Sequence, residues 1–232
     1  MINVPSLDFW FEFASTYSYP AAMRIAPLAR EAGVTVRFRP FLLGPVFQAQ
    51  GWSTSPFNLY AAKGGNMWRD LERLCADSKL SFRRPEPFPQ NSLLAARVAL
   101  VGLGTTSAEQ SSGEQSSGGR SWDGQSWVGQ SWDGQSWGEQ FCRAVFLAEF
   151  CDGLQIDDVA VLSDILARLN VRPEPVLDAA RTDTNKARLR AQTEEAQRLG
   201  IFGAPSFVTT DRELFWGNDR LERALAWAKN GR

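Results

Sequence analysis

The sequence predicts an α/β protein in which a helical domain is inserted between the two halves of one small sheet. Three observations predict it. Residues 7–41 run apolar–polar alternation, helical spacing, then alternation again. Residues 206–216 return to a period of two. The long stretch between reads as helices and loops, with no further strand pattern.

In the first strand, Leu7, Phe9, Phe11 and Phe13 take one face, and Asp8, Trp10 and Glu12 the other. A helix follows from near Tyr17 or Ser18 to Ala32. Pro20 suits its first turn, Pro27 should kink it, and Gly33 ends it. Residues 34–41 alternate again, so strand, helix and strand make a βαβ unit with parallel strands. Residues 44–57, with Pro45, Gly51 and Pro56, read as a loop. Helical sequence then covers about 58–79, with Met67, Leu71 and Leu74 as its clearest apolar positions. Residues 83–90 are extended. Helices follow at 91–102 (capped by Asn91 or Ser92), 139–151, 157–170, 173–181 and 185–200. A hairpin turning through 209–212 and a last helix over about 219–229 close the chain. The two ends together make a thioredoxin-like sheet. The predicted division is therefore 1–45 with 200–232 as the thioredoxin-like domain, and 46–199 as the inserted helical domain.

Residues 109–138 divide into six pentads, EQSSG, EQSSG, GRSWD, GQSWV, GQSWD and GQSWG. A repeat of five suits neither helix nor strand if the four Trp are to share a face. The Gly- and Ser-rich composition reads as a loop over 105–138, either a tolerated short repeat or an aromatic binding segment.

Composition narrows the chemistry. The 232 residues carry a net charge of −1, which suggests neither nucleic acid nor an anionic membrane as partner. No apolar run approaches the ~20 residues of a membrane span, no basic and apolar leader stands out, and the expected compartment is the cytoplasm. The three cysteines, Cys75, Cys142 and Cys151, form no C-x-x-C and read as reduced thiols. Histidine is absent, which excludes Ser-His-Asp and Cys-His catalysis and His-based metal sites. Difficult chemistry would need a borrowed group.

Three short motifs could supply a site for one. Ser15-Thr16-Tyr17-Ser18 lies where the first strand turns into its helix, with the S-x-x-S spacing of a redox C-x-x-C. Ser15 can be read as a helix cap. It can also be read as a donor to an anion held at the positive end of the helix, where a thiolate is stabilised. With no cysteine here, that sulfur would come from a ligand. Gly200-Ile201-Phe202-Gly203-Ala204-Pro205 leads into the hairpin, and Ala204-Pro205 is either an ordinary turn or a cis bond facing the helix N-terminus. Asn218 and Asp219 open the last helix, either as caps or as holders of an α-amino-carboxylate head group.

These motifs, with 38–47, 63–75 and 88–100, resemble the 2-hydroxychromene-2-carboxylate isomerase family, the DsbA-like branch that also includes kappa-class glutathione transferases. The similarity covers the chain outside 105–138. It implies a thioredoxin fold with a helical insertion, bound glutathione as cofactor, a small aromatic acid as substrate in aromatic catabolism, and a homodimer. By the same resemblance Ser15 is the catalytic serine. Lys63, Ala204, Pro205, Asn218 and Asp219 contact glutathione. Trp10, Phe47, Trp52 and Trp68 are candidates for an aromatic substrate pocket or equally for the core, and Lys63 and Arg220 are candidates for offsetting carboxylate charge. Thr16 stands where the family often has proline, Trp52 where it often has asparagine, and Gly65 and Asn66 where a basic residue and a tyrosine are common. These departures bear on the second substrate. A kappa-like transferase or reductase acting on other electrophiles shares the glutathione half-site, and a binding module built on the Trp repeat is the reading from another class.

Overall fold

In a computed structural model, residues 5–104 and 135–231 are described. The expected loop at 105–138 therefore falls outside them as far as residue 134. Four strands, β1 (Ser6–Phe11), β2 (Thr35–Pro40), β3 (Ser206–Thr209) and β4 (Leu214–Trp216), form one sheet in the order β2-β1-β3-β4. β1 is parallel to β2 and antiparallel to β3, and β3 and β4 form the closing hairpin. The βαβ and ββα halves meet where β1 pairs with β3.

The alternation in β1 builds both faces of this sheet. Phe9 stacks on Phe207 and Phe11 and meets Phe38 edge-on, with ring centroids 5.1–5.6 Å apart. On the other face Trp10 packs with Phe41, Val46, Ala196, Ile201 and Val208. α1 (Ser18–Ala32) runs unbroken through Pro27 and ends on Gly33 in the left-handed conformation.

The chain divides into two compact units, 1–80 with 190–232, and 81–189. These bounds differ from the division expected at 45/46 and 199/200. The physical reason is that the segment after β2 packs on the sheet. Residues 44–57, expected as loop, contain α2 (Leu43–Ala49) and the start of α3 (Pro56–Leu59). The Glu12 carboxylate accepts the Leu43 N–H at 3.0 Å, a negative group at the N-terminus of α2, and Val46 enters the core. α4 (Ala61–Asp77) follows, separated from α3 by the extended Tyr60.

In the second unit, α5 (Leu93–Leu103), α6 (Trp137–Phe150), α7 (Val159–Arg168) and α8 (Pro173–Arg181) pack around Phe141, Phe146, Phe150, Leu162, Ile165 and Leu166. α9 (Asp183–Arg198) carries the chain back to the first unit. α6 begins inside the last pentad. Ser136 accepts the Glu139 N–H and Glu139 accepts the Ser136 N–H, a reciprocal cap. Gly138 lies against Gly102 of α5, where a Cβ would come within 2.4 Å of the Gly102 carbonyl carbon. The loop expected as far as 138 thus gives way to helix by Trp137.

α10 (Leu221–Asn230) closes the chain after a 3-10 turn, Asn218–Arg220. Among the described residues no helix is long and apolar enough to cross a membrane. No group of three or more His, Cys, Asp or Glu among them could hold a metal ion.

Candidate functional site

The expected site residues all belong to the first unit. β1 ends at Phe11, and residues 12–17 turn into α1. Two backbone bonds, Ser15 N–H to Glu12 and Ser18 N–H to Ser15, tighten this turn. Ser15, Thr16 and Ser18 are buried. The first residue before the helix is Tyr17, and no side chain caps α1. No acidic residue stands in its first turn. The positive end of the helix dipole thus meets neither a side-chain cap nor an acidic residue of its own first turn. Ser18 Oγ, at the first helical position, is fully buried and has no hydrogen-bond partner.

Ser15 Oγ instead donates to the Ala204 carbonyl at 3.0 Å, across 189 residues of sequence. Ala204-Pro205 is cis. The Pro205 carbonyl accepts the Gly217 N–H at 3.0 Å, which ties the start of β3 to the turn that opens at Asn218. Gly217 holds φ +110, and a Cβ there would meet Asp219 Oδ1 at 2.6 Å, so glycine suits both the backbone and the neighbour. Through these bonds Ser15, Ala204, Pro205 and Asn218 converge on one end of the sheet. Asn218 is buried and accepts from Arg24 at 3.2 Å. Asp219 is exposed and accepts from Arg220 at 2.7 Å. Arg220 is therefore already paired with an acid.

Other expected residues lie elsewhere in the unit. Lys63 stands in the first turn of α4, exposed, with its ammonium 4.7 Å above the Tyr60 ring. Phe47 and Trp52 are half-buried and touch each other, centroids 5.8 Å apart. Trp68 is half-buried on α4. Trp10, read from the sequence as a pocket wall or a core residue, is 2 % exposed and lies in the sheet core against Phe41, because its face of β1 is covered by α2 and α9.

Three features were not foreseen. Tyr17 donates to Asp70 Oδ2 of α4 at 2.9 Å. Burial, that bond, and the charges of Asp70 and Asp219 raise the Tyr17 phenol above its ordinary range, so it stays protonated. Arg24 of α1 bridges Asn218 and Glu222. Phe202 and Trp216 form an exposed aromatic pair, centroids 4.9 Å apart, and the Trp216 indole lies against Gly203, one residue from Ala204. Sequence spacing cannot announce such long-range pairs. Burial pushes the Cys75 thiol up to about 12 and the Cys142 thiol well above its usual value, so neither is a nucleophile near neutral pH.

This geometry has known counterparts. The model of the DSBA-like thioredoxin domain matches residues 6–113 and 131–226, passing over the middle of the pentad block. A 2-hydroxychromene-2-carboxylate isomerase of Sphingobium xenophagum is 25% identical over 94% of this chain and 94% of its own. The structure of a 2-hydroxychromene-2-carboxylate isomerase superposes with a TM-score of 0.75 at 21% identity, covering 95% of this chain and 93% of that one. The cytosolic disulfide reductase DsbM of Pseudomonas aeruginosa, determined with GSH, gives 0.59 at 16% identity, covering 96% and 95%. With the sheet order, the Ser15 turn and the cis Ala204-Pro205 bond in place, the chain belongs to the family of the DSBA-like thioredoxin domain.

Proposed function

We propose that this protein is a glutathione-dependent isomerase of 2-hydroxychromene-2-carboxylate or a closely similar aromatic acid. The observation that carries the reading is the Ser15 hydroxyl, bonded to Ala204 beside a helix N-terminus without a side-chain cap, in a turn whose sequence contains no cysteine. A buried, unpartnered Ser18 hydroxyl at the same helix end is what a site built for an anion would contain. The relatives named as isomerases support the reaction class.

Bound glutathione would supply a sulfur nucleophile that adds to a conjugated carbon of the acid, lets the former double bond turn, and leaves again. The chain's own residues bind and orient. The N-terminus of α1 favours the ionised sulfur through its dipole. The Ser15 O–H turns from the Ala204 carbonyl to the sulfur and holds it at the turn. Ala204 then has a carbonyl free for a peptide N–H. Asn218 and Asp219 hold the α-amino-carboxylate head group. Phe202 and Trp216, tilted 56° to each other, offer exposed apolar ring surface to the aromatic ring beside the same turn. Lys63 offers an exposed ammonium for a carboxylate.

The test is turnover of 2-hydroxychromene-2-carboxylate by the purified protein with and without glutathione. We expect isomerisation that depends on glutathione and leaves it unconsumed. Equal rates without glutathione would sink the mechanism, and stoichiometric loss of glutathione would assign the protein to the transferases instead.

A further inference from the structure

We infer that Arg24 is a positioning residue that fixes the amide of Asn218 so that its N–H donors, and not its oxygen, face a ligand carboxylate. The inference rests on the proposed glutathione site and names the device that makes it selective for an α-amino-carboxylate head group.

The argument begins with what each group can do. A guanidinium donates hydrogen bonds and accepts none. The atom of Asn218 that faces Arg24 must therefore be its oxygen, and Arg24 Nη1 donates to Asn218 Oδ1 at 3.2 Å. Chemistry thus decides the orientation of an amide whose two ends have nearly the same shape. With Oδ1 turned toward Arg24, the pair of N–H donors is the end of Asn218 that points away from the guanidinium. Those suit a carboxylate, and a flipped amide would set oxygen against oxygen.

Arg24 is itself held. It lies in the second turn of α1, and its Nη2 pairs with Glu222 in the first turn of α10. Its side chain is 28% exposed, against 53% for Glu222. The fork therefore spans two acceptors on different elements, which a lysine ammonium matches less well. Pairing with Glu222 also keeps the guanidinium engaged, so that the amide of Asn218 remains the donor. Asp219, next in the chain, supplies a carboxylate for the ammonium of the same head group. The turn thus offers donors and an acceptor side by side.

The test is calorimetric binding of two thiols, glutathione and cysteinylglycine, which lacks the γ-glutamyl head. Arg24→Met keeps the apolar stem and removes the donors. We expect it to bind glutathione about tenfold more weakly, the loss of one oriented bond to a charged group, with cysteinylglycine unaffected and kcat at saturating glutathione retained. Arg24→Lys should recover part of the loss. Asn218→Asp is nearly isosteric and keeps a partner for Arg24, and it should weaken glutathione at least as much by facing carboxylate with carboxylate. Wild-type affinity in Arg24→Met, or in Asn218→Asp, would overturn the inference. So would an equal loss for both thiols, which marks a merely structural residue. Wild-type protein that binds neither thiol would be a different failure, that of the glutathione reading itself, and would take this inference with it.

Discussion

Ser15 could have served its own helix, and it does not. Its hydroxyl reaches the Ala204 carbonyl on the far half of the sheet, while the N-terminus of α1 goes uncapped. A capped helix end would compete with any bound anion, so the arrangement keeps the end available at some cost in stability. The neighbouring Tyr17 takes the opposite role. It is bonded to Asp70 and half-buried. Tyr17→Phe should lower stability by about 1 kcal/mol, read as a shift in the urea midpoint, since it removes one partly buried bond to a carboxylate. The pH dependence has a definite sign. Tyr17 and Cys75 both have folded-state pKa values raised above their unfolded values of 10.0 and 9.0. The stability they contribute is whole below pH 9 and is lost as pH rises toward about 12, the value for Cys75. Urea midpoints should therefore fall above pH 9, and Tyr17→Phe should soften the part of that fall that begins above 10. A midpoint flat to pH 11 would contradict this assignment.

At the scale of elements, the pleat and the glycine stops were legible. The alternation at 7–13 and 34–41, the hairpin and the helices after 91 follow from periods that local chemistry sets. α2 was not legible, because its support is tertiary. Pro45 and Gly51 read as loop signals, and the carboxylate of Glu12 and the core contact of Val46 override them. Trp10 left two readings open, pocket wall and core, and its packing against Phe41 and Val46 decides for the core. Ser15, Ala204, Pro205 and Asn218 could be named from sequence because each sits at the end of a regular element. Arg24 and Asp70 could not, since they lie within helices and acquire meaning only from what packs beside them. The start of α6 was readable in principle from Ser136-x-x-Glu139, a capping-box spacing hidden inside a repeat. The close approach of α5 and α6 at Gly102 and Gly138 gives a prediction. Gly138→Ala places a Cβ 2.4 Å from the Gly102 backbone, and should destabilise by about 1–3 kcal/mol, measurable by urea denaturation. The same change at Gly44, where a Cβ would meet nothing within 4 Å, provides the control and should have little effect.

For the whole molecule, the sheet unit carries the candidate chemistry and the second unit supplies its own helical core. The family match stops at 113 and resumes at 131, so the middle of the pentad block lies outside what the family shares. Deleting residues 114–133 removes four pentads and spares the Ser136 cap. Lengthening or shortening a surface connection changes stability by only about 0.6 kcal/mol per doubling. We expect the shortened protein to retain its urea midpoint, its glutathione affinity and its turnover. Loss of glutathione binding with folding intact would instead give the repeat a part in the site.

The central claim is that the turn at Ser15 and the open end of α1 form a thiolate site for a borrowed sulfur. The most direct measurement is the pKa of the glutathione thiol in its complex with the protein, followed by ultraviolet thiolate absorbance across a pH series. The account predicts a value clearly below the ~8.5 of a free cysteine-like thiol, and a return toward that value in Ser15→Ala. A bound thiol that titrates like free glutathione in the wild-type protein would contradict it.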